Sequence, residues 1–325
     1  MRSMALARSP VAAPFQRGVR WCLALPPAYA GTACLVGCAY LVRPNLLSPL
    51  LFLLILRQAV PLGIVTIGQS LTMRCRSLDL SVGGVMAAVS CLLTSGILTM
   101  PTPLACVLCV LFGAAVGAFN GLLIAYRRAS AVIVTLSVSM ILSGIVVAIS
   151  QFRASGDVPE LLTTIGAARP CGVPVALLVW LAILVAVALF MRWSVFGRVV
   201  DAVGSSPRAA ELSGLPHLRV IFIVHVVSGV VSACSALLLL SFVGVGSATL
   251  GKDLALNSLA AAVLGGVTFG DGRGGMAGPA IAAFMVVFLF NLLTSFGLGE
   301  AGHLMLQGAI IGFAALAYSL RGGGA

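Results

Sequence analysis

Apolar runs of about 20 residues, parted by short connections carrying Arg, Gly or Pro, recur from residue 22 to residue 320. A helix needs about that length to cross a hydrocarbon layer of about 30 Å, where only internally hydrogen-bonded backbone is tolerated. The runs at 22–42, 58–74, 82–100, 103–125, 130–150, 173–191, 219–241, 256–270, 276–297 and 303–320 predict about ten membrane-spanning helices. Segment 46–57 is too short to cross alone and reads as an interfacial helix or as an extension of the second span. Charged residues are 8% of the chain, and its mean hydropathy is +1.16. Soluble domains carry roughly 25% charged residues, so a water-soluble fold is excluded.

The net charge of +11 does not point to nucleic acid, because the cations sit in connections between apolar runs and form no stripe with interleaved aromatics. With the N-terminus inside, Arg2, Arg8, Arg17, Arg20, Arg74, Arg76, Arg127, Arg128, Arg192, Arg198, Arg208, Arg219, Arg273 and Arg321 fall on the cytoplasmic side. Arg43, Arg57, Arg153, Arg169 and Lys252 fall on the other side. That bias sets the orientation by the positive-inside rule and puts both termini in the cytoplasm. The expected organisation is a tail at 1–21, one transmembrane domain at 22–320 and a tail at 321–325, in a multi-pass membrane protein.

Ala28-Tyr29-Ala30 resembles a signal-peptidase site, but the preceding apolar run is short and broken by Pro26 and Pro27, so 22–42 reads as an uncleaved first span. Nine cysteines form no framework, and Cys106 and Cys109, though at metal-pair spacing, lie mid-span with no His nearby. There is no Ser/His/Asp set, no metal cluster, no carboxylate pair in a span and no phosphate-binding loop. No catalytic residue, metal or cofactor is therefore expected. An ATPase, if one drives this chain, is a separate polypeptide.

Asp79 is the sole acid among the first 156 residues, and it lies between two apolar segments in Leu78-Asp79-Leu80-Ser81-Val82-Gly83-Gly84. A carboxylate at membrane depth costs at least about 2.5 kcal/mol, so some gain must offset it. Two readings stand. Asp79 caps the third span with support from Ser81, or it contacts a permeating solute or senses nucleotide state. Gln69, Asn120, Asn257, Asn291 and Gln307 are uncharged amides in or beside spans, suited either to hydroxyl-bearing solutes or to interhelical bonding. His225 reads as a packed, hydrogen-bonded side chain.

The glycines at 265, 266, 270, 272, 274, 275 and 278 interrupt the eighth and ninth spans, as a flexible linker, as close packing or as an unwound stretch lining a path. The loop 192–218 is the most polar stretch of the chain. Within it Arg208-Ala209-Ala210-Glu211-Leu212-Ser213-Gly214 predicts about two helical turns ending at a Gly cap.

Four ordered blocks resemble ribose-type ABC importer permeases, within the branched-chain amino acid/ribose permease superfamily. They are LRQAVPLGIVTIGQSLTMRCRSLDLSVGG (56–84), GAFNGLLIAYRRASAVIVTLSVSMILSGI (117–145), FGRVVDAVGSSPRAAELSGL (196–215) and LAAAVLGGVTFGDGRGGMAGP (259–279). The resemblance implies a multi-pass permease subunit of a bacterial inner (plasma) membrane, carrying a monosaccharide or related polar solute. Its partners would be an ABC ATPase subunit, an extracytoplasmic solute-binding protein and a second permease chain, identical or not, within the lipid bilayer. Arg208 to Gly214 would be the coupling helix on the ATPase. Gln69, Asp79, Ser81, Gly83, Asn120, Thr135, Gly265, Gly266, Gly272, Gly274 and Gln307 would lie on the translocation path or its gate. Permeases for branched-chain amino acids or nucleosides, and an ion-coupled carrier using Asp79 or His225, are the alternatives. Departures from the family pattern are Arg76 and Ser77 for a Gly pair, Ser130-Ala131 for a Pro pair, Ser137 for Gly, Ser143 for Arg, Ala255 for Glu and Asn257 for Asp.

Overall fold

The computed structural model describes residues 26–150, 156–268, 272, 274–299, 301–309 and 312. In chain order its helices are α1 (Pro27–Val42), α2 (Pro49–Arg74), α3 (Val82–Thr94), α4 (Thr102–Ala125), α5 (Ala131–Ser150), α6 (Glu160–Ala167), α7 (Val175–Trp193), α8 (Val195–Ser205), α9 (Pro207–Leu212), α10 (His217–Val243), α11 (Leu254–Leu264) and α12 (Ala277–Ser295). Residues 301–309 are also helical. Among the described residues the single departure from helix and loop is an isolated bridge between Asp157 and Val245.

Six helices, α2, α4, α5, α7, α10 and α12, are long and apolar enough to cross a membrane, and α1, α3 and α11 are apolar but shorter. The protein is an all-helical integral membrane protein. Segment 46–57 extends the second span from Pro49 onward: a 3-10 turn ends at Leu47, and α2 then runs unbroken for 26 residues through Pro61. The third and eighth expected spans stop early, at Thr94 and Leu264. Gly96 (φ +74°) and Gly266 (φ +85°) follow in left-handed conformations that end a helix at little cost. The tail 1–21, residues 22–25 of the first span, 151–155, most of 310–320 and the tail 321–325 lie outside the described residues.

Helix α10 forms the spine, packed chiefly on α4 and α2. Lipid gives no hydrophobic drive for two helices to associate, so close van der Waals contact must supply it. Gly113, Gly117 and Gly121 recur at four-residue spacing on α4 and let α10 approach to backbone contact. A Cβ on Gly113 would strike the Gly229 carbonyl oxygen, one on Gly117 that of His225, and one on Gly121 would meet that of Phe222 at 2.9 Å. Across α2, Gly63 makes room for the buried Trp180 ring of α7.

The two ends of the bundle differ in charge. One gathers Arg74 and Arg76 after α2, the α8–α9 segment, and Arg128, which lies within electrostatic reach of Glu211. At the other, Arg57 donates to the Gly166 carbonyl of α6 at 2.8 Å and lies over the Phe242 ring, while Arg43 lies over Phe296. There Thr94, Gly156 and Gly246 are joined by backbone hydrogen bonds. Among the described residues these arginines divide between the two ends as expected, while Arg2, Arg8, Arg17, Arg20, Arg153, Arg273 and Arg321 lie outside them. Lys252, expected with the second group, is placed elsewhere, against Gly83.

Candidate translocation and coupling site

Helix α3 has 13 residues, about 20 Å at 1.5 Å per residue, too short for a bilayer of about 30 Å. The extended stretch Ser77–Ser81 completes its path. Non-helical backbone at membrane depth must be enclosed by protein or face a water-filled path, and Ser77, Asp79 and Ser81 are all at most 3% exposed.

Neighbouring side chains satisfy this stretch. Asp79 Oδ1 accepts the Ser81 N–H (2.9 Å) and the Ser81 hydroxyl (2.6 Å). Asn120 Nδ2 of α4 donates to Ser81 Oγ at 2.9 Å, and the Leu80 N–H donates to Thr135 Oγ1 of α5 at 3.0 Å. Ser77 Oγ pairs with His225 Nε2 of α10 at 2.7 Å. Asp79 therefore closes a turn on the residue before α3 and bonds none of the first helical N–H groups. Its second oxygen, Asn120 Oδ1, His225 Nδ1, Ser228 Oγ and both polar atoms of Gln69 are buried without partners among the described residues. Five of the expected residues, Asp79, Ser81, Gly83, Asn120 and Thr135, thus surround the entry to α3. Gln69 is wholly buried within α2, one position from Gly68, which rests on Ser228.

The expected glycines serve as packing points. A Cβ on Gly265 would strike Gly278 and Pro279, and one on Gly272 (φ +65°) would strike the backbone of Asp201, Gly204 and Ser205 in α8. Gly274 (φ +136°) rests on Val267, and Gly266 on Pro26. Gln307 is buried in the 301–309 helix, with its amide nitrogen unpartnered among the described residues.

The polar loop is held to the spanning helices at one junction. Buried Arg74 forms an ion pair with Asp201 of α8. Arg76, with φ +59°, donates through Nε to the Gly204 carbonyl at 2.8 Å and through Nη2 to that of Ser205 at 2.8 Å. A Cβ on Gly204 would strike the Arg74 carbonyl. Beyond the junction, Ser206 caps α9 by accepting the Ala209 N–H at 3.2 Å, and Gly214 (φ +72°) ends it. Arg208 and Glu211 pair at 2.8 Å, and that hydrogen bond holds the Glu211 carboxyl below the usual carboxylate range. Ala210 faces inward, while Leu212 is 73% exposed.

Ser77, Arg76 and the Arg74–Asp201 pair went unread as site residues. The Arg-Ser replacement of a Gly pair was their available signal.

A bundle of apolar helices with broken segments and one exposed polar appendage is the framework of a multi-pass permease. The chain belongs to the family described as branched-chain amino acid transport system / permease component, whose pattern matches residues 51–315. It is similar to the autoinducer 2 import system permease protein LsrD of Salmonella paratyphi B and of Salmonella typhi, each 29% identical over 280 residues, covering 83% of this chain and 84% of the relative. LsrD of Escherichia coli strain SMS-3-5 is 28% identical over the same length. No solved structure matches the chain at comparable significance. The family places the protein among multi-pass inner-membrane transport components rather than enzymes.

Proposed function

We propose that this chain is the translocating subunit of an ATP-driven importer for a small polyhydroxylated, sugar-like solute. Two permease chains enclose the path, an ATPase docks on α9, and an extracytoplasmic binding protein delivers the solute. The arginine-rich end faces the cytoplasm, with both termini there, because cations are retained on that side of a bacterial membrane. The solute class draws on the LsrD relatives, whose name assigns them to autoinducer 2 import, and on uncharged amides suited to hydroxyl groups.

The observation that carries the reading is the attachment of α9. It is an exposed short helix presenting Leu212, Arg208 and Glu211. Through α8 it is pinned to the end of α2 by Arg74 and Arg76. A partner pushing on α9 thereby pushes on the turn that leads into the Ser77–Ser81 segment.

Glu211→Lys tests this. It reverses one charge on an exposed face and leaves the fold standing, while ATP hydrolysis by the assembled transporter continues and uptake falls. Uptake equal to the parent protein removes α9 from the coupling role.

A further inference from the structure

Lys252 is the only lysine in the chain, and Asp253 follows it. Three packing relationships fix their depth. Gly83 touches the Lys252 backbone, with a Cβ there 3.3 Å from Lys252 Cα and from its carbonyl oxygen. The adjacent Gly84 lies against the Ser139 backbone, and Ser139 is the ninth of the 20 residues of the spanning helix α5. From Gly83 up to Thr94, whose carbonyl is bonded at the arginine-poor end, α3 rises about 16 Å at 1.5 Å per residue.

The segment 244–253 descends to the same level. Gly246 binds Gly156 at the arginine-poor end, the Ser247 N–H donates to Ser90 Oγ at 2.8 Å, and Gly251 meets Met86. Helix α11 then carries the chain to Ala262, in the same apolar cluster as Met73 beside Arg74. Each ruler leaves Lys252 and Asp253 near the middle of the bundle.

Both side chains are exposed there, as is Thr249, and neither has an ion-pair or hydrogen-bond partner among the described residues. A lysine or aspartate facing lipid at mid-depth is strongly unfavourable, and such residues face cavities or one another. Irregular backbone at that depth likewise belongs beside protein or water. An ammonium supplies three donors and a carboxylate only acceptors. Side by side, they match hydroxyl and carbonyl groups on a neutral solute without leaving net charge.

We propose that Lys252 and Asp253, with Thr249, form a charged waist of the translocation path that binds a neutral polyhydroxylated solute during passage. This rests on the permease reading but not on how ATP is coupled to it.

The single lysine makes the test direct. The assembled transporter in sealed vesicles is treated with sulfosuccinimidyl acetate, a water-soluble amine reagent, and the peptide carrying Lys252 is read by mass spectrometry. Acetylation of Lys252 in the intact bilayer is expected. Acetylation that appears only when the protein is denatured would place the residue against lipid or in a dry subunit contact and overturn the proposal. In parallel, Lys252→Gln and Asp253→Asn are each expected to lower uptake of D-ribose or autoinducer 2, whichever the parent carries, by roughly tenfold, as for loss of a charged hydrogen bond. Labelling with parental uptake in both variants would also overturn it. Glu211→Lys, run alongside, fails or succeeds without changing the labelling result, so the two readings fall separately.

Discussion

Arg76 donates to the carbonyl oxygen of Gly204 at 2.8 Å across 128 residues of sequence, tying the turn after α2 to the last turn of α8. Helix ends leave carbonyls without intrahelical partners, and a guanidinium satisfies two at once here, Gly204 and Ser205. Arg76 accepts a left-handed φ of +59° to do so, a conformation costing a residue with a Cβ about 1 kcal/mol.

That relationship predicts an Arg76→Asn phenotype. Asn tolerates positive φ better than most residues, so the turn and the expression level should persist. The two carbonyl bonds disappear, and α8 moves more freely relative to α2. Uptake per ATP hydrolysed should fall several-fold, measured as the ratio of the two rates in the assembled transporter. An unchanged ratio would mean that the Arg74–Asp201 pair suffices alone.

Ser77→Ala leaves His225 Nε2 unpartnered at a site with no solvent exposure. A buried polar group stripped of its partner costs about 1–3 kcal/mol. Thermal unfolding in mild detergent should shift down by several degrees. Thr in place of Ser keeps the hydroxyl and should recover most of the loss.

Asp79 does not cap α3, as one sequence reading had it, but closes the turn on Ser81, and paired substitutions test that turn. Asn retains an oxygen acceptor for the Ser81 N–H and hydroxyl, so a turn-forming role predicts that Asp79→Asn stays folded. Asp79→Ala removes both bonds and should cost about 1.5–3 kcal/mol for each charge-assisted bond lost. Recovery of monodisperse protein by size exclusion distinguishes them. Equal recovery of the two variants would contradict the turn role.

Gly229 faces Gly113 across the α4–α10 crossing, with no room for a Cβ. Gly229→Leu must part the two helices, and overpacking of this kind costs about 1–3 kcal/mol or more. Loss of folded protein from the membrane fraction is the expected readout. Among the described residues Gly144 has open space around it, and Gly144→Ala should be tolerated.

The membrane class, the six long spanning helices and the separation of the described arginines were legible from apolar run length and charge spacing, because the bilayer imposes both. The grouping of Asp79, Ser81, Asn120 and Thr135 was legible only through the family resemblance, since spacing along the chain does not reveal which helices meet. Gly113, Gly117 and Gly121 carried an unread signal, the four-residue spacing that packs α4 on α10. The depth of Lys252 was not legible at all. A short polar stretch between two apolar runs looks like a surface connection, and only its contacts with Gly83, Met86 and Ser90 show that it descends.

Force entering through α9 from a separate ATPase is the central claim. It is tested most directly by uptake into sealed vesicles holding this chain with and without its copurifying ATPase and second permease chain, supplied with D-ribose or autoinducer 2 and the binding protein. The account predicts accumulation only with the ATPase and ATP present, persisting after ionophores dissipate the ion gradients. Accumulation by this chain alone, or uptake that collapses with the gradients while ATP remains, would contradict it.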